Sequence, residues 1–221
     1  MDITFHIILC FIPLLLVITV FKFIFSKLNI SSILVSVILG FLAVIPIAAI
    51  QFFISSNFFI IPSTLSGILI KNIFINGLIE ESIKMAFLFF LSSKKRSFQV
   101  FFVCSLICGF AMGSFENIVY LTTGIAKTAM LRLFTAIIIH GCCTGLCGIF
   151  VYFMKNKNPI FFPFLMAIVL HGVYNYFAGF KSSTPFFYFS IAVVFYSIVE
   201  CRIRYLAYKE KLEKNNLPSF S

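Results

Sequence analysis

The feature that most restricts this chain is a series of apolar runs about twenty residues long, separated by short clusters of lysine and arginine. A hydrocarbon layer about 30 Å thick is crossed by about 20 residues of α-helix, at about 1.5 Å of rise per residue. Within lipid, every backbone N–H and C=O has to be satisfied inside its own segment, so runs of this length fold as helices. Composition removes the alternatives. Of 221 residues, 61% are apolar and 11% charged, with 32 Phe and no Trp, and the mean hydropathy is +1.09. A soluble domain carries about 25% charged residues, and neither a disordered chain nor a coiled coil has this apolar content. The expected fold class is all-α: a polytopic integral membrane helix bundle, with residues 1–221 forming a single transmembrane domain.

Seven spans are expected, over roughly 3–25, 30–52, 72–93, 98–122, 129–154, 160–180 and 184–206. Pro13 and Pro46 fall inside the first two, where the missing N–H favours a kink. Residues 53–71 are interrupted by Ser55, Ser56, Asn57, Pro62, Ser63, Thr64 and Ser66, and read as an interfacial or re-entrant segment. Cytoplasmic loops carry an excess of lysine and arginine. With seven spans, twelve basic residues share one face: Lys22, Lys27, Lys94, Lys95, Arg96, Lys155, Lys157 and the five between Arg202 and Lys214. Lys71, Lys127, Arg132 and Lys181 are left on the other. This predicts an N-terminus outside and a C-terminus in the cytoplasm. The net charge of +10 then reflects topology and anionic headgroups, not nucleic acid. The seven cysteines lie in apolar segments or at their ends, are odd in number and form no CxxC pair, so they read as packing residues. The first apolar run is too long for a signal sequence and has no basic region before it, so it reads as a mature helix.

The acidic residues define the site. Asp2, Glu200, Glu210 and Glu213 lie at membrane edges or beyond them, whereas Glu80, Glu81 and Glu116 lie inside spans, as do Lys84, His140, His171 and Asn175. A charged residue near the bilayer centre costs at least about 2.5–3.5 kcal/mol, which points to use. Counted from the nearest cytoplasmic basic cluster, Glu81 and His171 lie roughly 20 Å deep, His140 roughly 22 Å and Glu116 roughly 27 Å. Four spans thus bring ionisable groups to one layer in the outer half of the membrane. Helical phase agrees. Glu80, Glu81 and Lys84 share a face with Asn76 beside it, Glu116, Asn117 and Tyr120 share another, and His171 and Asn175 a third. Glu80 and Lys84, at i,i+4, are expected to pair. Gly109 with Gly113, and Gly141 with Gly145, form GxxxG pairs beside Glu116 and His140 that allow close backbone approach. Singly, each polar group has a plain reading as an ion-pair staple, a core imidazole or interhelical glue. Their shared depth favours one chamber. His6, without an acidic neighbour, reads as structural, and Arg132, near an outer helix end, as a side chain reaching to headgroups.

Adjacent carboxyls, a third acid and two imidazoles suit hydrolysis. A carboxylate in a low-dielectric cavity becomes a stronger base toward water, and imidazole or amide groups donate to an oxyanion. GxSxG, GxGD and HExxH patterns are absent. His140, His171 and one glutamate, Glu116 among the candidates, also match the three-ligand pattern of a catalytic zinc site. Glutamate-activated water, which requires no cofactor, and zinc-activated water both stay open at this level.

The run Glu80-Glu81-Ser82-Ile83-Lys84 resembles the EExxK motif of the PrsW family of intramembrane proteases. Gly109-Phe110 with Phe115-Glu116-Asn117 and Tyr120 resembles that family's second motif, Arg132 and His140 its third, and His171-Gly172-Val173-Tyr174-Asn175 its terminal HxxxN/D motif. The resemblance covers about 80–175, one motif per helix, within a motif-bearing core at 72–180. The family is grouped with the CAAX-prenyl-protease and bacteriocin-processing superfamily, whose members usually carry EExxxR and a histidine in the second motif; Lys84 and Glu116 depart from that pattern toward PrsW. The resemblance implies a multi-pass protease of the bacterial plasma membrane that cuts a membrane-anchored protein, such as an anti-sigma factor, near the outer face. It implies Glu80 as base with Glu81 supporting it, and His171 and Asn175 at the oxyanion. His140 and Glu116 would complete the chamber, with Lys84, Asn117 and Arg132 in support. The expected partners are that membrane-anchored substrate and the lipid bilayer. From another class, a proton- or cation-coupled transporter could use the same Glu/His layer. Against it, the sequence shows no inverted repeat and no polar residues leading from the layer to the cytoplasm. A binding protein that kept the fold without activity is a third reading.

Overall fold

The computed structural model describes residues 3–57, 64–122, 126–181 and 183–214, without the side chains of 3, 4, 6, 120–122 and 126–133. The expectations for His6, Tyr120, Lys127 and Arg132 therefore concern side chains outside the described residues, and Pro62 and Ser63 lie outside them altogether. The described residues are helical with short connections and contain no strand. The elements are α1 (Ile3–Ile24), α2 (Ile30–Asn57), α3 (Leu65–Lys71), a π-helical segment (Asn72–Gly77), α4 (Leu78–Leu88), α5 (Phe98–Thr122), α6 (Ala126–Lys155), α7 (Phe162–Ala178) and α8 (Pro185–Lys214).

Thr64 starts α3 by accepting a hydrogen bond from the Gly67 amide at 3.2 Å. From there the backbone never leaves the right-handed region: Asn72 has φ −64° and Gly77 φ −61°. α3, the π segment and α4 are thus one rod, and the described chain forms seven rods. Residues 53–57 are the last turns of α2, and 65–71 open the rod that leads to Glu80. Pro13 and Pro46 lie within α1 and α2. Five rods, α1, α2, α5, α6 and α8, are long and apolar enough to cross a membrane. The other two are the polar α3–α4 rod and α7, whose 17 residues reach about 26 Å.

α5 and α6 are the centre of the bundle. In each, 83% of the spanning window is buried, against 11% for α1 and 33% for α8. α1 and α2 pack on α5, while α4, α7 and α8 pack on α6. The outer faces expose Leu15, Leu16, Phe23, Phe195 and Ile203, as lipid-facing residues do.

Lipid gives helices no hydrophobic gain on association, so close contact depends on small residues. Both GxxxG pairs serve the α5–α6 seam. A Cβ at Gly113 would meet His140 Cδ2 at 3.0 Å, one at Gly141 the Phe110 ring at 2.5 Å, and one at Gly145 the Leu106 side chain at 2.7 Å. A second close approach was not legible in the sequence. Gly77 would place a Cβ 2.5 Å from the Ile168 carbonyl oxygen, and Gly172 lies against Ile73, which seats the π segment on α7. All seven cysteines are free and buried, consistent with packing residues.

Candidate active site

α4 turns Glu80, Glu81 and Lys84 inward as soon as the π segment ends, and all three are buried. Glu81 is the hub. Lys84 Nζ donates to Glu81 Oε1 at 2.6 Å, and His171 Nδ1 lies 2.5 Å from the same oxygen. Cys147 Sγ donates to Glu81 Oε2 at 3.4 Å. Partners from α4, α6 and α7 therefore converge on one carboxylate. The pairing of Lys84 corrects the expectation from spacing: its partner is Glu81 at i,i+3, not Glu80 at i,i+4. Both spacings are adjacent on a helix, so tertiary contacts decide between them. Gln51 of α2 draws Glu80 the other way, donating from Nε2 to Glu80 Oε1 at 3.0 Å.

Glu80 Oε2 is buried and has no hydrogen-bond partner among the described residues. It faces His171 Nε2 at 3.4 Å and His140 Nδ1 at 3.9 Å. His140 Nδ1 also lies 3.0 Å from Lys84 Nζ, and its Nε2 is in direct contact with Glu116 Oε2. The two imidazoles meet edge to face, with ring centroids 4.8 Å apart. With Nδ1 held by Glu81, His171 turns Nε2 toward Glu80, the way a carboxylate sets the orientation of a working imidazole.

The structure thus brings together Glu80, Glu81, Lys84, Glu116, His140 and His171, from four helices. It adds Gln51 from a fifth, which the sequence reading missed; the signal was an isolated amide near the end of an apolar run. Thr135 Oγ1 and Tyr174 OH, 2.9 Å apart, tie α6 to α7. Asn117, beside Glu116, is buried, with Nδ2 unpaired among the described residues. Asn175 is not joined to the cluster: it is partly buried, and its side chain makes no hydrogen bond among the described residues. The Arg132 side chain lies outside the described residues.

Glu80, His140 and His171 offer buried ligand atoms that all lie within 4.8 Å of one another. The carboxyl grouped with the imidazoles is Glu80; Glu116, named with them from the sequence, faces the other nitrogen of His140. Two imidazoles and a carboxylate are the donors of many catalytic zinc sites. Glu80, Glu81 and Glu116 against Lys84 leave two negative charges when all are ionised, the charge one divalent cation neutralises. The open oxygen of Glu80 and the tethered ring of His171 fit such an ion. Lys84 sits on the Nδ1 side of His140, so an ion bound through that nitrogen would displace the ammonium.

The chain matches the model of the family described as PrsW family intramembrane metalloprotease over residues 29–199, a stretch that holds every residue of the cluster. It is 33% identical over 158 residues to Protease PrsW of Oceanobacillus iheyensis, covering 66% of this chain and 70% of that protein. No solved structure matches. The family match and this relative agree, and the chain belongs to the PrsW family of intramembrane metalloproteases.

Proposed function

We propose that this protein is an endopeptidase that hydrolyses a peptide bond of a membrane-anchored protein near the outer face of a bacterial plasma membrane. A membrane-anchored anti-sigma factor is the substrate class. The observation that carries the reading is the state of Glu80. A structural ion pair satisfies both partners, whereas Glu80 keeps one buried oxygen open toward two imidazoles while its other oxygen is held by Gln51. That oxygen is placed to take the proton of an attacking water and return it to the leaving amine. Glu81, neutralised by Lys84, holds His171 in register through Nδ1, and Glu116 does the same for His140 through Nε2. His171 is the group assigned to the developing oxyanion; Asn175, one turn beyond it and expected to share that role, is not joined to the cluster. The twelve basic residues that seven spans would gather on one face support a cytoplasmic C-terminus, with the chamber nearer the opposite face.

The family description favours a second version of the same chemistry. Glu80, His140 and His171 would hold a divalent ion, which when bound supplies polarisation of the scissile carbonyl and activation of water. The two versions differ in whether Glu80 acts as base or as ligand. A coupled transporter is not favoured, since the family is one of proteases.

The test is a purified protein in liposomes with a membrane-anchored reporter, its metal content measured in parallel. Wild type should cleave, and Glu80→Ala, Glu81→Ala, His140→Ala and His171→Ala should not. Normal cleavage by all four variants would end the proposal.

A further inference from the structure

The connection between α1 and α2 and the one between α4 and α5 meet at a cavity of about 280 Å³, outside the active-site cluster. Its lining includes Lys27, Lys94, Lys95 and Arg96, with Asn29 and Ser32 between them, and no carboxylate. None of the four cations forms an ion pair among the described residues. The carboxylates of α8 cannot compensate them, because Glu200, Glu210 and Glu213 pair with Arg204, Lys214 and Lys209 of their own helix. Lys27, Lys94 and Lys95 are exposed and Arg96 is partly buried, so the four like charges make a water-accessible positive pocket that favours an anion.

The cavity is also built. Arg96 Nε donates to Ser32 Oγ at 3.0 Å and Nη1 to the Ser92 carbonyl at 3.2 Å, so its guanidinium is fixed across the two connections. Ser32 lies in the first turn of α2, and Ser97, whose Oγ accepts from the Val100 amide at 3.4 Å, directly precedes α5. The positive ends of two long helices therefore point to the same place. A fixed guanidinium, exposed ammonium groups and hydroxyls are the donor set that holds a phosphate.

We infer that this cavity is a phosphate-binding site that staples the α1–α2 connection to the α4–α5 connection. Its occupant is either the phosphodiester headgroup of an anionic lipid or a soluble phosphate. The inference is independent of the proteolytic reading.

The test uses the full chain in detergent micelles, stripped of lipid and then given phosphatidylglycerol, phosphatidylcholine or inorganic phosphate. Thermal unfolding and native mass spectrometry are the readouts. Phosphatidylglycerol should raise Tm saturably and stay bound, and phosphatidylcholine should do neither. The Lys27→Gln/Lys94→Gln/Lys95→Gln variant keeps the Arg96–Ser32 bond and should weaken apparent affinity about a hundredfold, at about fivefold per cation removed. Lys95→Gln alone, the milder variant, should lose about fivefold. Lys209→Gln/Lys211→Gln on α8 should change nothing. Stabilisation by phosphatidylglycerol alone identifies the lipid as occupant, and equal stabilisation by inorganic phosphate identifies a soluble ligand. The inference is overturned if no phosphate-bearing probe binds, if phosphatidylcholine stabilises equally, or if the α8 variant loses as much as the cavity variants.

Discussion

Replacing Gly109 by alanine asks whether the chamber depends on the closeness of α5 and α6. The added methyl would lie 2.6 Å from Thr144 Oγ1 and 2.7 Å from Thr144 Cβ, and nearer still to the carbonyl oxygen of His140. Thr144 can rotate its hydroxyl, but the carbonyl belongs to the helix backbone and stays. Ordinary contact begins at 3.4 Å, so the two helices must part by roughly 1 Å. Overpacking of this kind costs about 1–3 kcal/mol of stability. His140 is the residue displaced, and a 1 Å misplacement at a reacting centre costs about 100-fold in rate. Gly148→Ala is the matched control. Its methyl would overlap Ser105 in the same seam, but eight residues, or about 12 Å, farther along α6 from His140. Both variants should lose comparable stability in thermal unfolding, while only Gly109→Ala should lose about 100-fold in kcat/KM on a membrane-anchored reporter. Wild-type cleavage by Gly109→Ala, or an equal loss of rate in the two variants, would refute the argument that this seam positions His140.

Glu81→Gln leaves Lys84 buried without its charged partner and should lower stability by about 3–5 kcal/mol, read as a fall in Tm. Glu80→Gln strands no cation, so it should keep a Tm near wild type while cleavage drops by at least about 100-fold. Gln51→Leu removes the hydrogen bond that holds Glu80 Oε1 and should slow cleavage about tenfold while lowering stability by about 1.5–3 kcal/mol, read as a fall in Tm, the worth of a bond to a charged group. Dialysis against a chelator, followed by elemental analysis, should find near one divalent ion per wild-type chain before treatment and none in His171→Ala; full activity after complete removal would leave Glu80 as base.

The bundle and the ionisable members of its polar cluster were legible because lipid makes polarity conspicuous. Glu81, Glu116, His140 and His171 stood out against apolar runs, and counting residues from basic clusters placed them at similar depth. The glycines of α5 and α6 were legible for the same reason: small residues at i,i+4 in lipid have few other uses. What the sequence left open was partner choice. Spacing allowed Lys84 to pair with Glu80 or Glu81, and the groups that hold the two carboxyls, Gln51 on Glu80 and His171 and Cys147 on Glu81, come from helices distant in sequence. The π segment was hidden because a run such as Asn72–Gly77 is equally compatible with an ordinary α-turn; its wider turn shows only where Gly77 and Gly172 let α7 come close. Asn175 shares a helical face with His171 in projection, yet a shared face does not bring a side chain into contact.

The wide turn ahead of Glu80 makes the length of that stretch part of the chemistry. It holds one residue more than a regular helix would over the same rise, and each residue rotates the remainder of the rod by about 100°. Deleting a single position between 72 and 77 would let the wide turn relax to a regular one with the acids near their present heading, whereas adding a position would rotate them by about 100°, out of the chamber toward acyl chains. The turn thus has slack for one lost codon but none for a gained one, and none for a side chain at Gly77, where a Cβ would meet the Ile168 carbonyl oxygen at 2.5 Å.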